Sequence, residues 1–283
     1  MTLLMGAVAY DPKVVTIWAG FRTWLARQDF DLDFVLYSHY ERQVEDLVDG
    51  RLHAAWHSPL AWVRTRRLAR ARGYAVRPGV MRDTDQDLRS LVVVREDSAL
   101  HTPADLKGET VAVGAVDSPQ ATLLPLSLLR DCGLQPGEDF TVLRHQVGVG
   151  LHGDHVGGER DAVRALVQGE VAAACVTDGN HLQFTREGTL GGVRTRVLAR
   201  TEPYDHCVMA YGETAPAAAT DRLDELLLSM SYADPEVRPL LDLEGLTSWR
   251  PGRETGYGCL ERAVDESGFY DESGSVTAAH YVP

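Results

Sequence analysis

The sequence predicts an α/β fold with two lobes, each built around a mostly parallel sheet, and two chain crossings that form a hinge between them. Short apolar runs alternate with helix-length amphipathic segments along about the first ninety residues, which is the pattern of βαβ units. The same alternation starts again after the fully apolar run at residues 91–94. The last part of the chain, after residue 211, is mainly helical in pattern, and 283 residues suffice for two lobes of this kind.

The first run of elements builds the first predicted sheet and its covering helices. Continuous or alternating apolar residues indicate strands, and apolar residues that recur every three or four positions indicate helices. Gly50 ends one of these helices, as glycine commonly does. In chain order we expect a strand at 3–9, a helix at 14–27, a strand at 34–37, a helix at 41–48, a strand at 54–56 and a helix at 60–72.

The second run repeats this pattern and then turns helical. Gly133 and Gly169 follow the ends of two predicted helices. We expect strands at 91–95, 110–113, 140–143, 171–176, 196–201 and 208–211, and helices at 118–132, 159–168, 221–232, 235–243 and 259–268.

The chain is expected to leave the first lobe near Val94 and to return near Thr201. The first lobe would then comprise residues 1–94 together with 201–283, and the second would comprise residues 95–200. In folds of this kind ligands bind in the cleft, at the carboxyl ends of strands and the amino ends of helices.

The composition points to a small ligand. The net charge is −13, and only two of the 28 basic residues are lysines, Lys13 and Lys107. Such a chain has no general attraction for nucleic acid or anionic lipid, so a bound anion must be held by local N–H groups, arginine or histidine. The four cysteines form no CxxC pair, which indicates free thiols. The amino terminus has neither a basic segment nor a long apolar run, which predicts a cytoplasmic protein as written, or a periplasmic or extracellular one if a leader has been removed.

Several segments in order resemble one known family. They are residues 40–63, 104–113, 123–125 and 161–174, and together they are similar to the type 2 periplasmic binding proteins of phosphate, phosphite and phosphonate uptake, the PhnD-like substrate-binding proteins. The resemblance implies a two-lobed fold that closes on a small anionic molecule, with an ABC permease as partner if the protein serves transport.

The resemblance also implies site residues. Tyr40 would face the ligand, His57 and Ser58 would line the first-lobe wall, and Asp205 would hold a ligand amine. The family's Ser-Thr-Ser anion turn falls at residues 118–120, where only Ser118 is kept, and Arg160 stands where the family has histidine. A helix that begins at Ser118 has unpaired N–H groups for an anion, although Ser118 and Pro119 also suit a plain helix start. The expected ligand-binding residues are Tyr10, Tyr40, His57, Ser58, Ser118, Gln120, Thr122, His152, Arg160 and Asp178.

A second set of residues carries reactive side chains. The glycine-rich stretch 148–158 holds His152 and His155, and Asp205, His206 and Cys207 lie consecutively at the second crossing. Histidine, aspartate and thiolate bind metals, and histidine and cysteine also move protons or attack electrophiles. The predicted catalytic set is His155, Asp205, His206 and Cys207. No cofactor is indicated with certainty, a metal ion stays open, and the alternative to a binding protein is an enzyme on the same fold.

Overall fold

The computed structural model describes residues 2–279 and 281–283 and contains two five-stranded sheets and one two-stranded sheet. The first stretch of chain alternates strand and helix, as its apolar pattern predicts. Its elements are β1 (Leu3–Val8), α1 (Lys13–Ala26), β2 (Leu32–Tyr37), α2 (Tyr40–Val48), β3 (Ala54–His57), α3 (Pro59–Arg72), β4 (Arg77–Pro78) and β5 (Val80–Arg82).

The second stretch repeats the alternation and closes with helices. Its elements are β6 (Ser90–Arg95), β7 (Thr110–Val113), α4 (Leu124–Asp131), β8 (Thr141–Arg144), α5 (Gly157–Gln168), β9 (Ala173–Thr177), α6 (Asp178–Arg186) and β10 (Thr195–Arg200). The chain then adds β11 (Val208–Tyr211), α7 (Ala217–Ser229), α8 (Arg238–Glu244), β12 (Trp249–Pro251) and α9 (Gly258–Ser267).

Each five-stranded sheet is mostly parallel with one returning strand, as predicted. The first sheet has the order β2-β1-β3-β11-β4, in which β11 runs antiparallel to both neighbours. The second has the order β10-β6-β9-β7-β8, in which β6 runs antiparallel to both neighbours. The short β5 and β12 pair separately. The carboxyl ends of the parallel strands therefore collect at one edge of each sheet, where ligands of such folds bind.

The central strands of the two sheets are covered on both faces and are therefore mostly apolar, whereas the edge strands β2, β8 and β10 are partly exposed. In the second sheet Val92 and Val94 pack with Leu129 of α4, whereas the intervening Val93 packs with Val163 of α5. The first sheet buries an aromatic group on one face that includes Trp18, Trp56 and Trp249. Successive side chains along a strand therefore pack into two separate cores, one on each face of the sheet. This fixes the register of each sheet.

Two helical elements differ most from the sequence prediction, and the short strands β4, β5 and β12 were not predicted. The predicted helix 118–132 begins as a wider turn at Pro119–Leu123 before α4 starts. Pro125 lacks the N–H that would bond to the carbonyl of Ala121, and that carbonyl accepts from Gly114 N instead, at 3.1 Å. α6 was not predicted, because the polar run from Asp178 to His181 resembles a loop. Thr177 begins this helix by accepting from Asn180 N at 3.2 Å.

Candidate functional site

A cavity of about 480 Å³ lies between the strand ends of the two sheets. Its first side consists of Tyr10 after β1, Trp56 in β3, and His206 and Cys207 just before β11. Its second side consists of Gln120, residues of the glycine-rich stretch, and the first turn of α6. The remaining lining residues are Lys13, Arg82, Thr84, Asp85, Leu88, Gly153, Asp154, Val156, Thr177, Gly179, Asn180, Gln183, Glu244 and Gly245. The cavity is therefore the cleft that the two-lobed fold predicts.

Arg82 is a largely buried and fully paired charge at the cavity wall. Its Nε and one terminal nitrogen bond the two oxygens of Asp85 at 2.6 and 2.8 Å, and its other nitrogen bonds Glu244 at 3.3 Å. A guanidinium matches a carboxylate in this two-point manner. Burial raises the pKa of Glu244 to about 7 even though Arg82 opposes that shift. One of the two carboxylates beside Arg82 is thus partly protonated near neutral pH, which reduces the negative charge at the wall.

Lys13 supplies a cation that is not already paired. It is exposed at the start of α1, and no carboxylate of the described residues lies within 4.0 Å of its ammonium. The Lys13 ammonium lies 5.9 Å from the centre of the Tyr10 ring, so both groups face the same part of the cavity. Desolvation raises the pKa of Tyr10, which keeps its hydroxyl protonated as a donor. This corner can donate hydrogen bonds to an anion from two side chains.

His206 and Cys207 line the deep end of the cavity. His206 Nδ1 lies 3.1 Å from Cys207 Sγ and 3.5 Å from Asp85, and its Nε2 lies 4.0 Å from Asp154. Burial, together with Asp154 and Asp85, holds the pKa of the Cys207 thiol well above its usual range. The thiol therefore stays protonated and is a poor nucleophile.

The glycine-rich stretch forms a segment that reaches between the lobes, which we name the cleft loop (residues 148–156). On the first-lobe side, Tyr40 N donates to the carbonyl of Gly150 at 3.0 Å, and Ser58 Oγ lies 2.7 Å from His152 Nδ1. On the second-lobe side, Asp117 accepts from the N–H groups of Gly150 and His152 at 2.7 and 3.1 Å. The cleft loop is thus bonded to both lobes.

The path of the cleft loop requires glycine at the point nearest Ser118. Gly153 has a φ of +76°, and an added Cβ would lie 2.4 Å from Ser118 Oγ and from Gln120 Nε2. Gln120 Nε2 also donates to the Gly153 carbonyl at 2.6 Å. Only a residue without a side chain fits so close to this turn.

His152 anchors the cleft loop in a buried polar cluster. Its side chain is fully buried, stacks on Tyr40 at 4.8 Å between ring centres, and bonds Glu41 at 3.1 Å through Nε2. Glu41 also pairs with Arg64 at 2.6 Å and accepts from the hydroxyls of Tyr270 and Tyr281 at 2.7 and 2.8 Å. Burial raises the pKa of Glu41, but its bonds to His152 and Arg64 outweigh burial and lower the pKa to about 2. The cluster ties α2, α3, the cleft loop and the carboxyl-terminal residues together.

The cleft loop lies where the sequence analysis predicts the anion. Ser118, Tyr40 and Ser58 were expected to hold an oxyanion between them, but the cleft loop fills that space. Tyr40 OH donates to the Asp154 carboxylate, Ser58 bonds His152, and Ser118 accepts from Ala121 N at 3.1 Å as a helix start. The open space beside the cleft loop is the cavity described above.

The predicted binding residues fall into two groups. Tyr10 and Gln120 line the cavity, as do His206 and Cys207 of the predicted catalytic set. The others lie outside its lining. His57 is buried between Gln43 and Thr65, at 3.0 and 2.9 Å, and burial lowers its pKa to about 3.

The remaining predicted residues have local structural partners. Thr122 OH donates to the Ala115 carbonyl at 2.7 Å, and Arg160 pairs with Glu187 and bonds Thr189 at 3.0 Å. Asp178 is exposed on the first turn of α6 and accepts from Gly179 N at 2.8 Å. None of these three side chains reaches the cavity, because each has a nearer partner.

Two predicted reactive residues also lie away from the cavity. Asp205 is fully buried and bonds Arg253 at two points, both 2.6 Å, and packs against Gly256. His155 is exposed, and its ring accepts from Gly157 N at 3.2 Å. Of the four residues predicted as a reactive set, the cavity therefore holds only His206 and Cys207.

Sequence reasoning missed four charged groups at the cavity: Lys13, Arg82, Asp85 and Glu244. Lys13 had a usable signal, because it begins the helix that follows the first strand, where ligands of such folds bind. Arg82, Asp85 and Glu244 had no such signal in the sequence. Glu244 contacts Arg82 although the two residues are 162 positions apart in the chain.

One group of described residues has the donor atoms for a metal. Asp85, His206 and Cys207 offer oxygen, nitrogen and sulfur within 4.8 Å of one another. The two Asp85 oxygens already accept from Arg82, and one of them accepts from Cys207 N at 3.2 Å as well. A metal would have to displace Arg82 from this carboxylate.

Comparison with known proteins matches the chain to one family. A sequence model described as "ABC transporter, phosphonate, periplasmic substrate-binding protein" matches residues 6–257. Within the described residues, no helix is both long and apolar enough to cross a membrane.

Solved structures share the fold at low sequence identity. PhnD1 from Prochlorococcus marinus, in complex with methylphosphonate, is 15% identical with a TM-score of 0.68, over 94% of this chain and 97% of that chain. XAC2383 from Xanthomonas citri, bound to chloride, is 18% identical with a TM-score of 0.70, over 94% and 98%. The aliphatic sulphonate binding protein SsuA from Escherichia coli is 18% identical with a TM-score of 0.56, over 94% and 90%. These similarities show the two-lobed fold.

Proposed function

The chain belongs to the family of periplasmic substrate-binding proteins of phosphonate ABC transporters, and we propose that it holds its ligand in the cavity beside Lys13. Members of this family bind a small anionic ligand in the cleft between two lobes and work with an ABC permease. The proposal concerns where this chain binds the anion and which residues hold it. It also assigns residues 1–89 with 201–283 to one lobe and 90–200 to the other, because β6 pairs within the second sheet although it was expected in the first lobe.

The observation that carries the proposal is the unpaired donor corner of the cavity. Lys13 and Tyr10 lie together there, and the first turn of α6 borders the same space through Gly179 and Asn180. A helix amino terminus carries a partial positive charge. Phosphonate, phosphate and carboxylate groups are held by several hydrogen-bond donors, and a charged donor binds them more strongly; this corner supplies both kinds.

The cavity wall is compatible with a negative ligand despite its carboxylates. Asp85 is neutralised by Arg82, and the raised pKa of Glu244 leaves that group partly protonated near neutral pH. Trp56 adds an apolar surface that suits an organic substituent on the oxyanion. We therefore expect a small organic phosphonate or a related oxyanion.

We propose that binding needs no metal and that the chain works outside the cytoplasm, as the family description implies. The metal ion that the sequence analysis left open stays untested. The enzyme alternative is not favoured, because the chain matches a family of binding proteins and because the Cys207 thiol is held protonated.

Isothermal titration with methylphosphonate, phosphate, acetate and glycine amide tests the proposal. We expect saturable binding of at least one oxyanion, and no binding of the cationic amide. For a ligand at about 100 times its Kd, the unfolding free energy should rise by about 2.7 kcal/mol. Absence of binding by every oxyanion, with unchanged thermal stability, would contradict the proposal.

A further inference from the structure

Asp154 is a carboxylate that the cleft loop places in the ligand cavity. Its side chain is only 7% exposed, and it lines the same cavity as Lys13 and Tyr10. One oxygen accepts from the hydroxyl of Tyr40, which the family resemblance expected to face the ligand. The other oxygen lies 4.0 Å from His206 Nε2, beyond hydrogen-bond distance. Asp154 therefore holds one oxygen with spare acceptor capacity at the cavity wall.

The charged and titratable groups around Asp154 come from six neighbouring parts of the chain. They are Tyr10 after β1, Tyr40 of α2, Arg82 of β5, His152 of the cleft loop, Glu244 of α8, and His206 with Cys207 before β11. Arg82 already bonds Asp85, and His152 already bonds Glu41 and Ser58. Burial raises the pKa of Asp154, although His206 and Tyr40 oppose the shift. The carboxylate has no close cationic partner and is therefore a strong acceptor for a proton-bearing group.

We propose that Asp154 selects oxyanions that carry a proton, so that a hydrogen phosphonate binds in preference to a sulfonate of the same shape. The inference rests on the proposed function, since it needs the ligand to occupy this cavity. An ionised carboxylate can only accept hydrogen bonds. The P–OH group of a monoprotonated phosphonate donates to it, whereas a sulfonate presents only lone pairs and is repelled.

The test compares methylphosphonate with methanesulfonate near neutral pH, where part of the phosphonate is monoprotonated and the sulfonate carries no proton. More acidic conditions are avoided, because burial raises the pKa of Asp154 and the proposal needs its carboxylate ionised. Affinities are measured by titration calorimetry on the full chain. The wild type should bind the phosphonate at least about tenfold more tightly, which corresponds to about 1.4 kcal/mol. The Asp154→Asn variant should reduce the preference to within about threefold, because the amide can turn its NH₂ group toward the sulfonate.

Asp161→Asn is the matched control, because Asp161 lies on α5 in a surface pair with Arg164 and does not line the cavity. It should keep the wild-type preference. Equal affinities in the wild type, a preference for the sulfonate, or an unchanged preference in Asp154→Asn would each overturn the inference while leaving the proposed function in place. If neither anion binds to any variant, the proposed function fails together with the inference. A circular dichroism spectrum and an unfolding curve establish that Asp154→Asn is folded.

Discussion

Ser58 and His152 lie 94 residues apart in sequence, yet Ser58 Oγ and His152 Nδ1 are only 2.7 Å apart. Ser58 begins α3 beside the first sheet, and His152 belongs to the cleft loop that follows the second sheet's β8. This hydrogen bond joins the two lobes without any ligand. The same imidazole bonds Glu41 through its other nitrogen, so each ring nitrogen has a partner in the first lobe.

The first prediction concerns this connection between the lobes. His152→Ala should lower the free energy of unfolding by about 1–3 kcal/mol, because it leaves buried Ser58 and Glu41 with unpaired groups. It should also increase amide hydrogen exchange in the cleft loop. His155→Ala, in the same loop but exposed, should change stability by no more than about 0.5 kcal/mol. Urea unfolding and exchange measurements on both variants check this, and equal effects would count against a specific role for His152.

The second prediction concerns the cation at the proposed site. Lys13→Met should weaken methylphosphonate binding by about tenfold or more, because a hydrogen bond to a charged group contributes about 1.5–3 kcal/mol. The chain's other lysine gives a matched control. Lys107 is exposed and pairs with Asp139 at 3.0 Å, away from the cavity, so Lys107→Met should leave the affinity unchanged. Calorimetric titration separates the two variants, and a similar loss in both would indicate a general charge effect.

The third prediction is that Asp205 stabilises the fold and does not bind the ligand. Asp205→Asn should lower stability by about 1–3 kcal/mol, because the buried carboxylate bonds Arg253 at two points and accepts from Asp87 N at 3.2 Å. Ligand affinity, corrected for unfolded protein, should not change. A clear loss of affinity in a fully folded variant would restore Asp205 as a ligand-binding residue.

The fourth prediction is an acid dependence of stability from Glu41. Its pKa is about 2 in the folded protein and 4.5 ordinarily, so the folded state favours the ionised form. The resulting stabilisation is present above pH 4.5 and is lost as the pH falls toward 2. Its full size is about 3 kcal/mol. Unfolding curves at several pH values should show a shallower acid slope for Glu41→Gln than for the wild type, and parallel slopes would contradict the prediction.

Much of the fold could be predicted from the sequence because the period of apolar residues reports directly on strands and helices. Strands such as Thr110–Val113 and Val208–Tyr211 were predicted at their observed bounds. The wider turn before α4 was missed although Pro125 is a signal for it in the sequence; only the bond from Gly114 N to the Ala121 carbonyl is a tertiary contact that the sequence does not show. α6 was missed because polar residues in its first turn hide the helical period.

Less of the site could be predicted, because its charges are brought together by tertiary contacts. The glycine content of the cleft loop indicated that this loop is functional. It did not predict that the loop enters the cleft and bonds Tyr40. Asp154 was therefore not among the predicted site residues. Asp205 looked reactive beside His206 and Cys207, yet neighbouring residues before a strand point in different directions. Arg253, its partner, lies 48 residues away in sequence.

A crystal structure with bound methylphosphonate shows directly where the ligand lies. We expect the phosphonate oxygens within hydrogen-bond distance of Lys13 and Tyr10, near the first turn of α6. The cleft loop should keep its bonds to Ser58 and Asp117. A phosphonate found instead between Ser118, Tyr40 and Ser58, with His152 displaced from its pocket, would contradict the account.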